Sequence, residues 1–228
     1  MGYQFTYLLM GIIFLIIWLT LFLWRKNIRK EMLLISILFS IGGPLADTLY
    51  KKDWWNPINL LEIPVEAILV GFTLGGIAAV IYEVLFNKKL AKKGSKRNIP
   101  IIKTFLLLTV LFFGAFYIFK LNSLISTIIA FAIPTIIIYL RRKDLILNSL
   151  ISGILLLVIA IVTYSLLELL TPGWVQSFWQ FKNVPNIVIL NVPLDDVLWY
   201  FLAGAFIGPL YEYWQEGKLI NMKKQRLK

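Results

Sequence analysis

The chain contains no cysteine and no histidine among its 228 residues. Without cysteine there is no disulfide bond and no thiolate nucleophile. Without histidine, metal sites built on imidazole, Ser-His-Asp triads and histidine general bases are all excluded. Acidic residues are also scarce, with 12 Asp and Glu against 23 Lys and Arg. Any acid–base chemistry must therefore use a few carboxyl groups, tyrosines or lysines.

Apolar residues dominate the composition. They make up 59% of the chain, charged residues make up 15%, and the mean hydropathy is +0.79. A soluble domain of this size does not need so much apolar surface, so the composition indicates an integral membrane protein. The net charge of +11 could indicate a nucleic-acid partner. We expect none, because the basic residues lie in short connections between apolar runs, as in cytoplasmic loops beside anionic lipid.

Seven apolar segments are long enough to cross a bilayer, which takes roughly 20 helical residues. We therefore predict an all-α integral membrane protein with seven transmembrane helices. The segments lie at about residues 4–24, 32–50, 64–86, 100–119, 122–140, 146–170 and 193–214. The shortest break separates the fourth segment from the fifth at residues 120–123, and it predicts a very tight turn.

Alternate connections between these segments are basic. Lys and Arg cluster at residues 25–30, 88–97, 141–143 and in the C-terminal tail. The positive-inside rule predicts that these lie in the cytoplasm, which gives a multi-pass protein of the cell membrane with its N-terminus outside and its C-terminus inside. The other connections hold few basic residues and several aromatic rings that suit the outer membrane interface: Trp54, Trp55, Trp174, Phe178 and Trp179.

The last segment repeats the third. Residues 63–69 (IPVEAIL) match residues 192–198 (VPLDDVL), and in both copies a Tyr-Glu pair ends 19 residues after the proline. The match extends back to the basic turns before the second and sixth segments. Because each copy holds three helices and the fourth helix restores their direction, we predict two parallel repeats joined by helix 4.

This repeat predicts how the chain is divided. The first repeat with its basic loop covers residues 1–98, the linking transmembrane helix covers 99–120, and the second repeat covers 121–228 with a basic tail. The second copy carries extra residues in an outer loop at 171–192, which could form a lid.

Carboxyl groups inside a membrane span are costly, so their presence suggests a function. Glu66 and Asp195 occupy equivalent positions in the two copies, two residues after a proline that suits a first helical turn. The alternative is that each acid only complements its helix dipole. Asp47, Glu168 and Asp196 also lie in the outer portions of the predicted helices.

The other acids invite simpler interpretations. Glu31 and Asp144 lie in basic connections and are expected to be solvated. Glu83 and Glu212 end their helices, so we interpret them as interface anchors or partners of nearby lysines. No metal site is predicted. Among the aromatic residues, Trp199 and Tyr200 follow the second acid pair, and with Tyr117 they are candidates for lining a cavity.

Residues 54–57 (WWNP), followed by Ile63 to Glu66, resemble the lycopene cyclase domain of the heterodimeric or fused non-flavin carotenoid cyclases. Residues 6–9 (TYLL) and the basic first loop are also similar to that domain. The resemblance covers nearly the whole chain and is to the fused arrangement. Fungal membrane cyclases of meroterpenoid pathways are similar in size, helix count and use of two acids.

The resemblance implies a redox-neutral, proton-initiated cyclisation of a polyene or terpenoid end group, an isomerase reaction of the intramolecular lyase type. Glu66 fits the family's Pro-x-Glu motif, but Ala67 stands where a second acid is usual, and the second copy has Asp195 and Asp196. We take Glu66 and Asp195 as acid and base in either order, supported by Asp196 and Asp47. The predicted substrate-binding residues are Trp199, Tyr200, Tyr117, Glu168 and Trp55.

No cofactor is expected for this chemistry. An apolar cavity raises the pKa of a carboxyl group, aromatic faces stabilise a carbocation, and exclusion of water protects it. The expected partners are a hydrophobic isoprenoid or carotenoid substrate and membrane lipid, and a homo-oligomer stays open.

Two other functions fit the same features. Parallel repeats and intramembrane acids are also found in proton-coupled transporters. A non-catalytic lipid-binding protein could retain the scaffold, and the departures at Ala67 and Asp195 are compatible with it. Proton-coupled flux without any change in a lipid would indicate the transporter.

Overall fold

The computed structural model describes residues 3–57, 64–91, 101–184 and 186–222, and within them the protein is all-α, as predicted. The helices, in chain order, are α1 (Thr6–Trp24), α2 (Arg29–Asp53), α3 (Val65–Leu85), α4 (Ile101–Tyr117), α5 (Ser123–Arg141), α6 (Ile146–Leu170), α7 (Trp174–Phe178), α8 (Leu194–Ile207) and α9 (Leu210–Gln215). The strands form two short antiparallel pairs, in which β1 (Lys88–Ala91) pairs with β4 (Lys218–Asn221) and β2 (Val188–Ile189) pairs with β3 (Val192–Pro193).

Within these ranges, five helical segments are long and apolar enough to cross a membrane: Tyr3–Trp24, Lys26–Asp53, Val65–Leu85, Ser123–Arg141 and Lys143–Leu170. Their outward faces carry large apolar side chains, such as Ile16 and Val162, that would be unfavourable in water. The protein is therefore a helical membrane protein.

Three predicted segments differ from the observed helices. α2 runs from Arg29 to Asp53 and is longer at both ends than the predicted 32–50. The fourth segment was predicted at 100–119, and its described helix ends two residues earlier, at Tyr117. The prediction of one continuous helix over 193–214 is wrong, because α8 ends at Ile207 and α9 begins after Pro209. Proline has no backbone N–H and so interrupts the helical hydrogen bonds.

Successive long helices run between two ends of the bundle. We call the end with the β1–β4 pair the strand end, and the opposite end, which holds α7, the loop end. At the loop end the predicted tight turn between α4 and α5 is confirmed: Lys120 has a φ of 56°, and the Asn122 side chain accepts a hydrogen bond of 2.8 Å from the Ile125 N–H.

Small residues bring the helix backbones together around the centre. A Cβ added at Gly43 would lie 2.3 Å from the carbonyl oxygen of Ala67, and one added at Gly71 would lie 2.3 Å from that of Phe39. Only glycine allows α2 and α3 to approach this closely. Gly204 has the same role between α8 and α6, where an added Cβ would lie 2.6 Å from the carbonyl oxygen of Ser152.

Candidate functional site

A cavity of about 140 Å³ lies between α2, α3, α4, α5 and α8, with further lining residues from α1 and α6. Most of its walls are apolar, with Phe112, Phe131 and Leu74 among them. Two carboxyl groups among the described residues also line it, Asp47 from α2 and Asp196 from α8. The cavity therefore combines an apolar interior with two acids from distant parts of the chain.

The first acid, Asp196, is held by two hydrogen-bond donors. The Trp54 indole donates to Oδ1 at 3.1 Å, and the Tyr164 hydroxyl donates to Oδ2. Trp199 and Tyr200 follow three and four residues later and line the same cavity, because this spacing places side chains on one face of a helix. The Trp199 indole in turn donates to the Tyr50 hydroxyl at 2.9 Å.

The second acid, Asp47, is 6% exposed. Its Oδ2 atom has no hydrogen-bond partner within the described ranges, and the Trp55 side chain interacts with the carboxyl group by a hydrogen bond. The Tyr7 ring packs edge-on against Trp55, with centroids 4.7 Å apart. The Tyr7 hydroxyl lies close enough to Asp47 and Asp196 to interact with both charges.

Two connections cover the cavity at the loop end, and we call residues 54–56 and 178–180 the roof. The Asn56 N–H donates to the carbonyl oxygen of Phe178, and the Gln180 N–H donates to that of Trp54, both at 2.8 Å. The rings of Trp55 and Trp179 lie 5.3 Å apart, and both line the cavity. The roof therefore contributes three tryptophan rings, Trp54, Trp55 and Trp179, to the cavity wall.

The roof corrects one prediction from the sequence. The aromatic residues of these connections were expected at the outer membrane interface. Trp54, Trp174, Phe178 and Trp179 are instead all buried, with Trp174 at 0% exposure. The Trp174 ring packs against those of Phe178, Trp179 and Tyr164, the last with centroids 4.9 Å apart, and the Trp54 ring packs against that of Tyr50. Packing within the protein therefore accounts for these four rings.

The structure brings five of the predicted site residues together around the cavity: Asp47, Asp196, Trp55, Trp199 and Tyr200. Glu66 and Asp195 are buried beside it and are not among its lining residues. Glu66 is close enough to Asp47 to interact with its charge. Asp195 precedes Asp196, and its Oδ1 accepts a hydrogen bond of 3.1 Å from the Asp196 N–H.

Two predicted substrate-binding residues lie away from the cavity. Tyr117 is 46% exposed at the end of α4, and its hydroxyl accepts a hydrogen bond of 2.9 Å from Lys52. Glu168 accepts a hydrogen bond of 2.8 Å from the Gly173 N–H and so stabilises the turn before α7. Neither side chain lines the cavity.

Two residues that line the cavity, Tyr50 and Tyr164, were not predicted from the sequence. Tyr164, which donates to Asp196, lies in an apolar helix with no motif around it, and Tyr50, which accepts from Trp199, precedes the motif at residues 54–57 without belonging to it. The available signal was only that a tyrosine buried in a membrane helix needs a hydrogen-bond partner for its hydroxyl.

Three glutamates meet at the strand end, and we call Glu31, Glu83 and Glu212 the acid cluster. One oxygen of each lies within 4.8 Å of the others, and all three side chains are at most 4% exposed. The Asn148 amide donates to Oε1 of Glu212 at 2.6 Å. The prediction of a solvated Glu31 is therefore wrong, since α2 begins earlier than expected and carries Glu31 into the bundle.

Two arginines stabilise the backbone around this cluster. Arg25 donates to the carbonyl oxygens of Glu83 and Lys88 at 2.9 and 2.7 Å. Arg142 donates to those of Glu212 and Gly217 at 3.4 and 2.8 Å. Burial lowers the pKa of the Arg25 guanidinium, and the nearby charge of Glu83 acts in the opposite direction. No ion pair joins the cluster's carboxyl groups to a lysine or arginine in the part described, so the expected lysine partners of Glu83 and Glu212 are absent there.

The fold and the cavity define a helical membrane protein whose interior holds carboxyl groups and aromatic rings in apolar surroundings. The family model described as lycopene cyclase matches residues 3–85 and 122–214, which together form most of the chain. The protein belongs to the lycopene cyclase family, as the resemblance indicated. Membership supports a carotenoid-cyclase-like function in general terms. No curated protein and no solved structure matches the chain.

Proposed function

We propose that this protein is a membrane cyclase that converts the end group of an isoprenoid polyene into a ring without a net change in redox state. The observation that carries the proposal is the placement of Asp47 and Asp196 in one apolar cavity with Trp199 and Tyr200, in a member of the lycopene cyclase family. Acid, base and aromatic faces are the groups that a proton-initiated cyclisation requires.

Asp196 is the better proton donor of the two acids. Its O–H proton passes to a carbon of the terminal alkene, and the carbocation that forms is attacked by a second double bond, which closes the ring. The hydrogen bonds from Trp54 and Tyr164 stabilise the carboxylate that remains. These donors are fixed in advance by packing and need no rearrangement during the reaction.

Asp47 is the better acceptor of the product proton. Its Oδ2 atom is buried and has no hydrogen-bond partner among the residues described, so it can receive a proton from the carbon next to the ring cation. Loss of that proton restores a double bond and gives an isomer of the substrate. The cycle closes when this proton returns from Asp47 to Asp196, and the Tyr7 hydroxyl lies within electrostatic range of both carboxyl groups.

Aromatic rings and the roof protect the cation between these steps. Trp55, Trp179 and Trp199 line the cavity and present rings whose faces attract a positive charge. An apolar cavity of about 150 Å³ accepts one six-membered ring, so the observed 140 Å³ suits the end group of a polyene. The rest of a long substrate would extend towards the lipid.

Glu66 and Asp195 support this pair in our proposal. In the register that aligns them, Ala67 aligns with Asp196 and Gly71 with Tyr200, and all four of these partners line the cavity. The first copy thus contributes small residues that leave room opposite the acid and ring of the second. Glu66 and Asp195 each precede one of these aligned positions. Glu66 interacts electrostatically with Asp47, and Asp195 with Asp196.

We further propose the predicted arrangement of two parallel three-helix repeats with seven membrane crossings. Arg25 binds the carbonyl oxygen of Glu83 as Arg142 binds that of Glu212, which supports a pseudo-two-fold relation between the halves. α4 supplies the fourth crossing, and α8 with α9 supplies the seventh. The basic residues at the strand end favour its position in the cytoplasm.

The test is expression of the chain in cells that make acyclic carotenoids or other polyprenoids, followed by analysis of the extracted lipids. We expect a cyclised isomer of unchanged mass from the wild type. Asp196→Asn and Asp47→Asn should abolish it, whereas Glu66→Gln and Asp195→Asn should reduce it. Full cyclisation by Asp196→Asn and Asp47→Asn would disprove the assignment, and proton-coupled flux in liposomes without a new lipid would favour a transporter.

A further inference from the structure

We propose that the acid cluster at the strand end binds one hard divalent cation through Glu31, Glu83 and Glu212. Glu31 and the cavity acid Asp47 lie 16 positions apart in α2, so the cluster lies about 24 Å from that acid, at 1.5 Å per residue. The cation site is therefore distinct from the proposed catalytic cavity and does not depend on its function.

The geometry of the cluster suits a coordinated ion. One oxygen from each glutamate lies within 4.8 Å of the other two, and these side chains are 4%, 1% and 0% exposed. A calcium ion bound at 2.3–2.6 Å holds its ligand oxygens up to about 5 Å apart. Within the described ranges, Oε1 of Glu31, Oε1 of Glu83 and Oε2 of Glu212 all lack a hydrogen-bond donor. These buried, unpartnered oxygens are the atoms that a cation would satisfy.

Charge gives the second argument. Three carboxylates buried together repel one another strongly unless a positive charge or protons compensate them. Among the described residues, no lysine or arginine nitrogen lies within 4.0 Å of their oxygens. Arg25 and Arg142 lie within electrostatic range of Glu83 and Glu212 and offset part of this repulsion, but they donate their hydrogen bonds to backbone carbonyl oxygens rather than to these carboxyl groups. Tyr211 also lies within electrostatic range of all three and adds no positive charge.

A comparison of the two halves shows that Glu31 is the residue in which the acid cluster differs from the equivalent place in the second half. Glu31 is the third residue of α2, and Asn148 is the third residue of α6, each after a short 3-10 turn. Asn148 donates a hydrogen bond of 2.6 Å to Glu212. The Glu31 side chain, which lies beside Glu83, has no N–H group that could donate to Glu83 in the same way. The first half therefore presents an additional acid where the second half has a neutral donor.

The donor set indicates the kind of ion. Carboxylate oxygens without any imidazole or thiolate favour Mg²⁺, Ca²⁺ or Mn²⁺ over softer metals. Glu31 and Glu83 come from α2 and α3, and Glu212 comes from α9. A bound cation thus connects the first half of the bundle to its last helix, and its removal should loosen that contact.

The experiment uses the full chain in detergent, treated with a chelator and then titrated separately with Mg²⁺, Ca²⁺ and Mn²⁺. We expect one saturable site by calorimetry, and for Mn²⁺ also by its paramagnetic resonance signal. The unfolding temperature should rise by roughly 5–10 °C when the cation is about 100-fold above its Kd. The matched variants are Glu31→Asn and Glu212→Gln, with Asp144→Asn as a control at an exposed acid near the same end.

Glu31→Asn keeps the proposal testable, since it copies the arrangement of Asn148. This variant should fold, should unfold at the same temperature with and without cation, and should lose the saturable site. Asp144→Asn should behave like the wild type. Absence of divalent binding to the wild type would overturn the proposal and leave shared protons as the source of compensation. Undiminished binding by Glu31→Asn would overturn it as well, because the ion would then lie elsewhere.

Discussion

The indole of Trp54 donates a hydrogen bond of 3.1 Å to Oδ1 of Asp196, across 142 positions of the chain. The bond joins the connection after α2 to the first turn of α8. The bond also orients the Asp196 carboxyl group, which without it would lie in apolar surroundings with the Tyr164 hydroxyl as its side-chain donor. One contact therefore ties the roof of the cavity to its acid, and it allows specific predictions.

Replacement of Trp54 by phenylalanine should slow the proposed cyclisation by about 10-fold or more, because a hydrogen bond to a charged group contributes about 1.5–3 kcal/mol. A smaller aromatic ring still occupies the site, so the bundle should stay folded. Product formation and the unfolding temperature should be measured together. Trp24→Phe, at a residue that is 70% exposed, is the control and should keep full activity. An unchanged rate in Trp54→Phe would mean that this bond does not support the chemistry.

Tyr164→Phe should also reduce product formation, since it removes the second donor to Asp196. The matched control is Tyr117→Phe, which removes a hydroxyl that lies outside the cavity and is bonded to Lys52. We expect the control to behave like the wild type in a lipid-product assay. The opposite result, a defect in Tyr117→Phe alone, would show that the cavity has been assigned to the wrong residues.

Gly71→Ala should destabilise the protein by about 1–3 kcal/mol, the usual cost of forcing extra atoms into a packed interior. The new methyl group would lie 2.3 Å from the backbone oxygen of Phe39 and would push α3 away from α2. Gly114→Ala is the control, because an added Cβ there meets nothing within 4 Å. That change should be neutral or stabilise α4 by about 0.5–1 kcal/mol. Thermal or denaturant unfolding in detergent would compare the two, and equal stabilities would contradict the close helix contact.

The orientation in the membrane can be tested by thiol labelling, since the chain has no cysteine to remove. Lys182→Cys lies in the connection at the loop end, and Asp144→Cys lies at the strand end. In intact cells, a reagent that does not cross membranes should label Lys182→Cys and leave Asp144→Cys unlabelled until the cells are opened. The reverse pattern would place the strand end outside. Loss of the exposed Asp144–Arg142 pair should cost at most about 1 kcal/mol.

The repeat favoured Glu66 and Asp195 as the acids of the site, whereas the acids that line the cavity are Asp47 and Asp196. Successive residues of a helix are rotated by about 100°, so Asp195 and Asp196 point in different directions. The choice between them depends on how α8 is rotated against its neighbours. α8 is apolar around most of its circumference, and such a helix has no polar face from which its rotation could be read. Packing of α8 mainly against α6, and also against α5 and α3, fixes that rotation and places Asp196, rather than Asp195, among the lining residues.

The acid cluster was hidden for a different reason. Glu31, Glu83 and Glu212 are far apart in the chain. Glu31 follows Lys30, and the other two lie five and six residues before a lysine, so a solvated or paired charge was the simpler interpretation. Their proximity arises only when the starts and ends of three helices meet at the strand end. The roof is similar, because the burial of Trp54 and Trp179 depends on pairing between two connections that are over 100 residues apart.

By itself the sequence determined the all-α membrane class, the tight turn before Ser123 and the family, because hydropathy, turn residues and short motifs are properties of neighbouring residues. The tertiary structure alone decided that Asp47 and Asp196 share a cavity and that three glutamates share another buried site. Those relations depend on helix rotation and on contacts between distant segments, and the energy of packing the whole bundle selects them.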